Sequence, residues 1–355
     1  MAKPFVSVLI DTYNHERFIE EAIVSVLQQD FPAADREIIV VDDGSTDRTP
    51  DIVRKFEPQV RLLRKANGGQ ASAFNAGIPE CKGEIVAFLD GDDWWARNKL
   101  TLVMEVMAND PALGLVGHGI ISVHQDRREQ VESLREGFEF KADSVEGARL
   151  LRRRGAFLGT SRMAIRARVL CRIGPVPPEI EIQADEFLFT LAAALACVRI
   201  LPETLTYYRL HDANSFQMAS HDLTKLRRKQ TSLAALANGL SRRLGELGIK
   251  ASVMRELVEF SQISADQLRL ITAGGWPWET VDTEWRMYRL LHPDATRSHQ
   301  VFKFATLLGA LFATPRVYYA VQRKLAQNGT YLRIRRRWLP VPGMQHIDKT
   351  WRARS

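Results

Sequence analysis

Three short segments hold the residues with the most chemical potential: Asp11-Thr12-Tyr13-Asn14, Asp42-Asp43-Gly44-Ser45-Thr46-Asp47 and Asp90-Gly91-Asp92-Asp93. Each follows an apolar, β-rich run, so each places carboxylates where a strand ends. Carboxylates gathered there repel one another unless a ligand uses them. They can hold a hard divalent cation, Mg2+ or Mn2+, against a substrate phosphate, or accept hydrogen bonds from a nucleotide's base and ribose. One such loop alone reads as a turn and helix cap. Three at one sheet edge point to a ligand. No G-x-G-x-x-G follows the first strand run and no G-x-x-x-x-G-K-[ST] occurs anywhere, which excludes the usual glycine-rich phosphate cradles. Asp90-Gly91-Asp92-Asp93 also lacks the calcium-loop register.

The elements that position these loops alternate strand and helix. Val6–Ile10, Glu37–Val41, Val60–Leu63, Glu84–Leu89 and Leu113–Val116 are strand runs. Helical patterns over Glu16–Gln29, Thr49–Phe56, Gln70–Ile78 and Leu100–Ala108 separate them. This alternation predicts an α/β fold with a Rossmann-like, mostly parallel twisted sheet flanked by helices, and ligands at the carboxyl ends of the strands. Helices near Ser144–Leu151 and Asp185–Ala196 follow, with strands near Val198–Ile200 and Thr206–Arg209. Beyond His221 the pattern is helical only: Asp222–Leu247, Ser252–Ala273, Trp278–Leu291 and His299–Leu325, the last broken by Pro315. The division is therefore an α/β domain over 1–218 and a helical C-terminal region over 219–355.

With 355 residues, 45% apolar and 26% charged, the chain can bury a sizeable core and is neither disordered nor a disulfide scaffold. The net charge of +7 is local. From Arg316 onward ten Lys/Arg face one acid, Asp348, while the rest carries 39 basic and 41 acidic residues. No nucleic-acid motif surrounds the tail, so no nucleic-acid partner is expected. Cys81, Cys171 and Cys197 form no CxxC pair and read as reduced, buried, cytosolic thiols. The N-terminus lacks a signal-peptide pattern, and the apolar stretch Phe304–Ala313 is too short to span a bilayer.

The ordered motifs resemble those of family 2 glycosyltransferases over about residues 4–215. They are Val6-Ser7-Val8-Leu9-Ile10-x-Thr12-Tyr13-Asn14, Val40-Val41-Asp42-Asp43-Gly44-Ser45-Thr46-Asp47, Asn67-x-Gly69, Asn75-x-Gly77 and Phe88-Leu89-Asp90-Gly91-Asp92-Asp93. The resemblance implies a GT-A fold and an inverting transferase that moves a sugar from a nucleotide-diphosphate donor, UDP-linked, to a hydroxyl acceptor in cell-surface polysaccharide or glycolipid synthesis. It implies that Thr12, Tyr13, Asn14, Asp42, Asp43, Asn67 and Asn75 line the nucleotide-sugar pocket, with Asp43 on the base. Asp90 and Asp92 would be the D-x-D at ribose and divalent metal, and Asp185 the catalytic base. His211, in Tyr208-Arg209-Leu210-His211, would lie near the diphosphate.

Three positions depart from the family pattern. Asp11 replaces Pro, Phe74 stands where many members have Arg, and Ala184 replaces Glu, which leaves Glu186 as a rival base turned about 100° away on a helix. A catalytically impaired nucleotide-sugar-binding relative is therefore the alternative function. A nucleotidyltransferase is disfavoured, because it would carry a Gly-rich, Arg/Lys-bearing loop where Asp11-Thr12-Tyr13-Asn14 stands. Trp276, Trp278, Trp285, Tyr288, Phe302, Phe304, Phe312, Tyr318 and Tyr319 read first as helical core. A second reading takes 300–340 as a peripheral contact with the cytosolic face of a membrane, since Arg316, Arg323, Lys324 and Arg333–Trp338 add basic residues there. The sugar, the acceptor and the linkage have no sequence signature; residues Val123–Gly159 carry no readable motif.

Overall fold

The computed structural model describes residues 5–124, 128–211, 222–326 and 347–353. Two compact units divide the chain. One comprises Met1–Phe216, Gly239–Leu257 and His346–Ser355; the other comprises Gln217–Asn238 and Val258–Gln345. The boundary expected at 218/219 lies outside the described residues.

The first unit opens with β1 (Val6–Thr12), α1 (Ile19–Leu27), β2 (Arg36–Asp42), α2 (Thr49–Arg54), β3 (Arg61–Arg64), α3 (Gly69–Gly77) and β4 (Ile85–Asp90). β1 is flanked by β2 and β4, and β2 by β3, all parallel. Their residues are apolar in unbroken runs because both faces are covered: Val8, Leu9, Ile10, Ile39, Val40, Ala87 and Phe88 have no exposed surface. Each buried Leu, Ile or Phe side chain contributes about 1.5–3 kcal/mol to this core. The register sets Asp11 beside both Val41 and Asp90, and Thr12 beside Asp42. All three acidic loops therefore leave the sheet at one edge.

Beyond β4 the sheet becomes mixed. β5 (Trp94–Trp95) and α4 (Lys99–Asn109) precede β6 (Leu113–Val123), β7 (Arg128–Leu134), β8 (Phe138–Phe140) and α5 (Val145–Arg154). Then come β9 (Ala164–Arg166), α6 (Ala167–Ile173), α7 (Ala184–Leu195) and β10 (Cys197–Arg209). The expected strand at Leu113–Val116 is the start of β6, but it is no parallel neighbour of β4. The short antiparallel β9 lies between them. The two strands expected at Val198–Ile200 and Thr206–Arg209 are one strand, β10, parallel to β6 with register shifts around Pro202–Thr204. Its far end pairs antiparallel with β5, and Trp94 stacks flat on Tyr207 at 5.1 Å. That pairing carries Tyr208–His211 back to the acidic edge.

The remaining helices are α8 (Leu223–Glu246), α9 (Ala251–Thr272), α10 (Pro277–Leu291), α11 (Arg297–Leu308) and α12 (Pro315–Ala326). A final strand, β11 (Ile347–Ala353), pairs with β7. The break expected at Pro315 within His299–Leu325 is present: α11 ends at Leu308, and Pro315 is the first residue of α12, where its missing N–H costs nothing. In the second unit the aromatic residues divide. Trp285 stacks on Tyr288 at 5.7 Å and meets Phe304 edge-on at 5.4 Å, whereas Trp276, Trp278 and Phe312 are exposed. Arg333–Trp338 lie outside the described residues. Among those described, no helix is long and apolar enough to cross a membrane. The three cysteines are free, but not buried as expected: Cys171 is exposed and the other two half-buried.

Candidate active site

Asp90 ends β4, and the turn after it folds back at once. Gly91 N–H donates to the Asp11 carbonyl at 2.9 Å and Asp93 N–H to the Asp90 carbonyl at 3.1 Å. A Cβ on Gly91 would lie 2.6 Å from Thr12 Oγ1 and 2.9 Å from His15 Nδ1, so only glycine permits this close approach. The turn gathers Asp90, Asp92 and Asp93 with one carboxylate oxygen of each inside a 4.8 Å span. Asp11 joins them from the neighbouring strand, and its buried Oδ1 has no hydrogen-bond partner. The donor set fits a divalent cation: every atom is a hard oxygen, and at least one buried oxygen is unsatisfied.

The carboxylates differ in charge state. Burial, then repulsion from Asp92, pushes Asp11 and Asp93 up to about 8. Burial and repulsion from Asp11, Asp93 and Asp92 raise Asp90 well above the usual range. Asp92 goes the other way. Burial is the largest influence and would raise it, but the hydrogen bond from His211 and the Coulombic influence of the neighbouring His15 and His211 rings together outweigh burial. His211 Nε2 stands 2.9 Å from Asp92 Oδ2 and His15 Nε2 3.8 Å from the same atom. Asp92 is thus the carboxylate held ionised between two imidazoles. Arg209, from the same strand end as His211, donates to the Asp92 carbonyl at 3.0 Å and stacks over Trp94.

Asp185 lies in the first turn of α7, entered from Gln183 in the left-handed region at φ 68°. Its Oδ1 accepts from Glu186 N–H at 2.9 Å and its Oδ2 from Thr160 N–H at 3.2 Å. Burial raises its pKa, while those two amide donors restrain the rise. One side chain reaches both this helix and the acidic turn. Gln70, in the first turn of α3, accepts from Ala184 N–H at 3.1 Å and donates to Thr160 Oγ1 at 3.1 Å and Asp90 Oδ1 at 3.4 Å. Beneath the turn, Ser161 Oγ donates to Asp93 at 2.6 Å and accepts from Asp90 N–H at 3.1 Å. The Ser161 carbonyl takes hydrogen bonds from Lys99 Nζ (2.6 Å), Thr206 Oγ1 (2.6 Å) and Trp95 Nε1 (3.1 Å). Lys99 is wholly buried over the Trp95 ring, and burial depresses its pKa.

The residues expected around the nucleotide are more dispersed. Tyr13 is 43% exposed. Asp42 Oδ1 accepts from Ser45 N–H at 3.0 Å, and Arg64 Nε sits 3.2 Å from Oδ2 at an angle that makes no hydrogen bond. Asp43 is already engaged by Lys65 Nζ at 2.5 Å, Gly69 N–H at 2.7 Å and Gly68 N–H at 3.1 Å, so a base N–H would compete with Lys65. Gly44, at φ 78°, lets the Asn67 backbone approach to where a Cβ would be 2.6 Å from its nitrogen; the Asn67 side chain is exposed. Asn14 accepts from Thr46 N–H at 2.8 Å and ties the first two loops together. Asn75 uses both ends of its amide on the Val176 backbone, at 2.8 Å each. The structure thus brings Thr12, Asp90, Asp92 and His211 into one cluster, while Asn14 and Asn75 hold loops.

The sequence profile described as Glycosyl transferase family 2 matches residues 7–171. A Nostoc sp. protein named uncharacterized glycosyltransferase alr2836 is 35% identical over 221 residues, 61% of this chain and 67% of its own length. The chain belongs to glycosyltransferase family 2. This glycosyltransferase is also 41% identical over 100 residues to poly(ribitol-phosphate) beta-N-acetylglucosaminyltransferase TarS of Staphylococcus aureus, 27% of this chain but only 17% of TarS. The crystal structure of TarS 1–349 with UDP-GlcNAc superposes with TM-score 0.51 at 19% identity, over 80% of this chain and 88% of that one. The mannosyltransferase PcManGT of Pyrobaculum calidifontis, in complex with GDP-Man and Mn2+, gives 0.53 at 20% identity, over 94% and 84%. Both likenesses establish the GT-A fold.

Against that family, two of the departures acquire a physical setting. Phe74 is fully buried and meets Phe88 edge-on at 5.2 Å, so the position where many members carry Arg has become core. Ala184 is buried, and Glu186 accepts from Nε2 of Gln183, the residue just before the helix, at 2.9 Å. His15, Gln70, Thr160 and Ser161 escaped the sequence reading. His15 had a signal, three residues from Thr12; Gln70 meets Thr160 and Ala184 across 90 and 114 residues and Ser161 meets Asp90 across 71, with no spacing to find them.

Proposed function

We propose that this family 2 glycosyltransferase moves a sugar from a nucleotide-diphosphate donor, UDP-linked, onto a hydroxyl acceptor with inversion, in the assembly of a cell-surface polysaccharide or glycolipid. The observation that carries the reading is the gathering of Asp90, Asp92 and Asp93 at the strand ends, with Asp185 held at the start of α7 through Thr160. Donor sugars in the two structural neighbours, UDP-GlcNAc in one and GDP-Man in the other, support it.

Asp92 and Asp90 would hold a divalent cation, Mg2+ or Mn2+, with His211 beside them; Mn2+ accompanies the donor in the Pyrobaculum enzyme. Such a cation supplies charge stabilisation for a departing diphosphate. The protein's own groups do the rest. Asp185 takes the proton of the acceptor hydroxyl as it attacks the anomeric carbon. Its burial makes it a stronger base than a free carboxylate, and the amides of Glu186 and Thr160 keep it aimed. Attack opposite the leaving group in a single displacement inverts the anomeric centre. Tyr13 and Asp43 would receive the base, and Thr12 the ribose side of the pocket.

Incubation with a panel of UDP-, GDP- and dTDP-sugars, with and without Mn2+, tests the reading. Mn2+-dependent release of nucleoside diphosphate from one donor is expected. Saturable donor binding without release, from every donor and with an acceptor mixture present, would mean a binding protein instead.

A further inference from the structure

Helices α11 and α12 meet their need for a core with few residues. Leu307, Ala310 and Pro315 are buried, and Phe304 packs on Trp285. Apolar side chains are also exposed on both helices and on the turn between them. Val301 is 70% exposed, Leu308 41%, Leu311 44%, Phe312 92%, Val317 53% and Val321 49%. Val301 and Leu308 are seven residues apart and Val317 and Val321 four, so each pair shares one side of its helix. A helix that faces water ordinarily carries polar residues there. So many exposed apolar side chains within one short stretch of chain mark a contact surface.

Charge selects the partner. Between Asp294 and Asp348 the sequence has no Asp or Glu and nine Lys/Arg, of which Arg297, Arg316 and Lys324 are exposed on these helices. Arg316 donates to the Thr272 carbonyl at 2.8 Å, just before the turn that presents Trp276 and Trp278 at 71% and 61% exposure. A second copy of the chain would set this positive surface against itself. A nucleic acid would satisfy the cations and leave Phe312 and Leu311 without a partner. An anionic bilayer satisfies both: acyl chains for the apolar side chains, headgroups for the cations, and an interface suited to tryptophan. We propose that the outer face of α11 and α12 seats on an anionic lipid surface, lying on it and not crossing it.

Flotation of the full-length protein with vesicles tests this, using phosphatidylcholine alone and phosphatidylcholine mixed with phosphatidylglycerol. The wild-type protein should rise with the mixed vesicles, remain behind with phosphatidylcholine alone, and be released by salt. Leu308→Ser with Phe312→Ser should weaken partitioning at least about tenfold. Arg316→Gln with Lys324→Gln should weaken it about fivefold per charge. A wild-type protein that ignores mixed vesicles, or variants that partition as wild type, would overturn the proposal. So would light scattering that shows a dimer dissolved by Phe312→Ser without any vesicle binding, because a second copy would then be the occupant.

Discussion

The acidic strand ends and the outer face of the last helices break the same rule in opposite senses. At the strand ends, Asp92 is a half-buried charge and Asp93 a buried carboxyl group; on α11 and the turn after it, Val301 and Phe312 are exposed hydrocarbons. Folding alone rewards neither. The protein tolerates them differently. The carboxylates are held by a dense hydrogen-bonded frame of Ser161, His211, Gln70 and backbone amides, so their geometry exists before any ligand arrives. The outer helical face is held more sparsely, by the buried side of each helix and by bonds such as that from Arg316 to the Thr272 carbonyl. Pre-organised polar groups suit chemistry at one point, whereas an apolar face with scattered cations suits a broad, fluid partner.

The largest effects should follow from breaking the polar frame. Asp92→Ala should reduce transfer by at least about 10^3-fold, the scale of losing a charge-stabilising group. The same variant should lose the thermal stabilisation that Mn2+ gives the wild type, about 2.7 kcal/mol at a hundredfold excess over Kd. Equal Mn2+ shifts in both proteins would mean that another site holds the ion. Asp185→Asn keeps the shape and removes the base. It should lower kcat about a hundredfold or more while donor affinity, read by calorimetry, stays unchanged. Normal turnover in this variant would transfer the role of base to another residue.

Much of this frame was legible in the sequence, and the limit of legibility has a physical basis. A parallel sheet writes its core as apolar runs and its ligand edge as the residues just after them, so β1, β2, β4 and the loops at Asp11, Asp42 and Asp90 could be read locally. β9 is three residues long and owes its place to the strands on either side, so no periodicity announces it. β10 reads as two strands because Pro202 interrupts the pattern where the register shifts. Gln70 joins Asp90 and Ala184 across 20 and 114 residues, a relation that exists only in the folded chain. Exposure of Phe312 was equally hidden, since apolar residues at helical spacing describe a core as well as a surface.

Gln70→Ala sharpens the distinction between positioning and chemistry. The glutamine touches no reacting atom in the proposed transfer; it holds the α7 amide and Thr160, which in turn aims Asp185. Its loss should reduce kcat about tenfold, the scale of a small misplacement of the base, with KM for the donor within about twofold. A matching rise in donor KM would place Gln70 in the binding surface.

The smallest effect tests whether the second region is open at all. A side chain that is 92% exposed loses almost no burial when it is shortened, so Phe312→Ser should change stability by no more than about 0.5 kcal/mol. In thermal denaturation without lipid that is a shift of about 2 °C or less for a unit of this size. Transfer to a water-soluble acceptor should likewise remain at the wild-type rate. A drop of many degrees would mean that Phe312 is covered in solution by another part of the chain or a second copy. The contrast between a framed polar site and a sparsely held apolar face would then fail, because the apolar face would have a frame of its own.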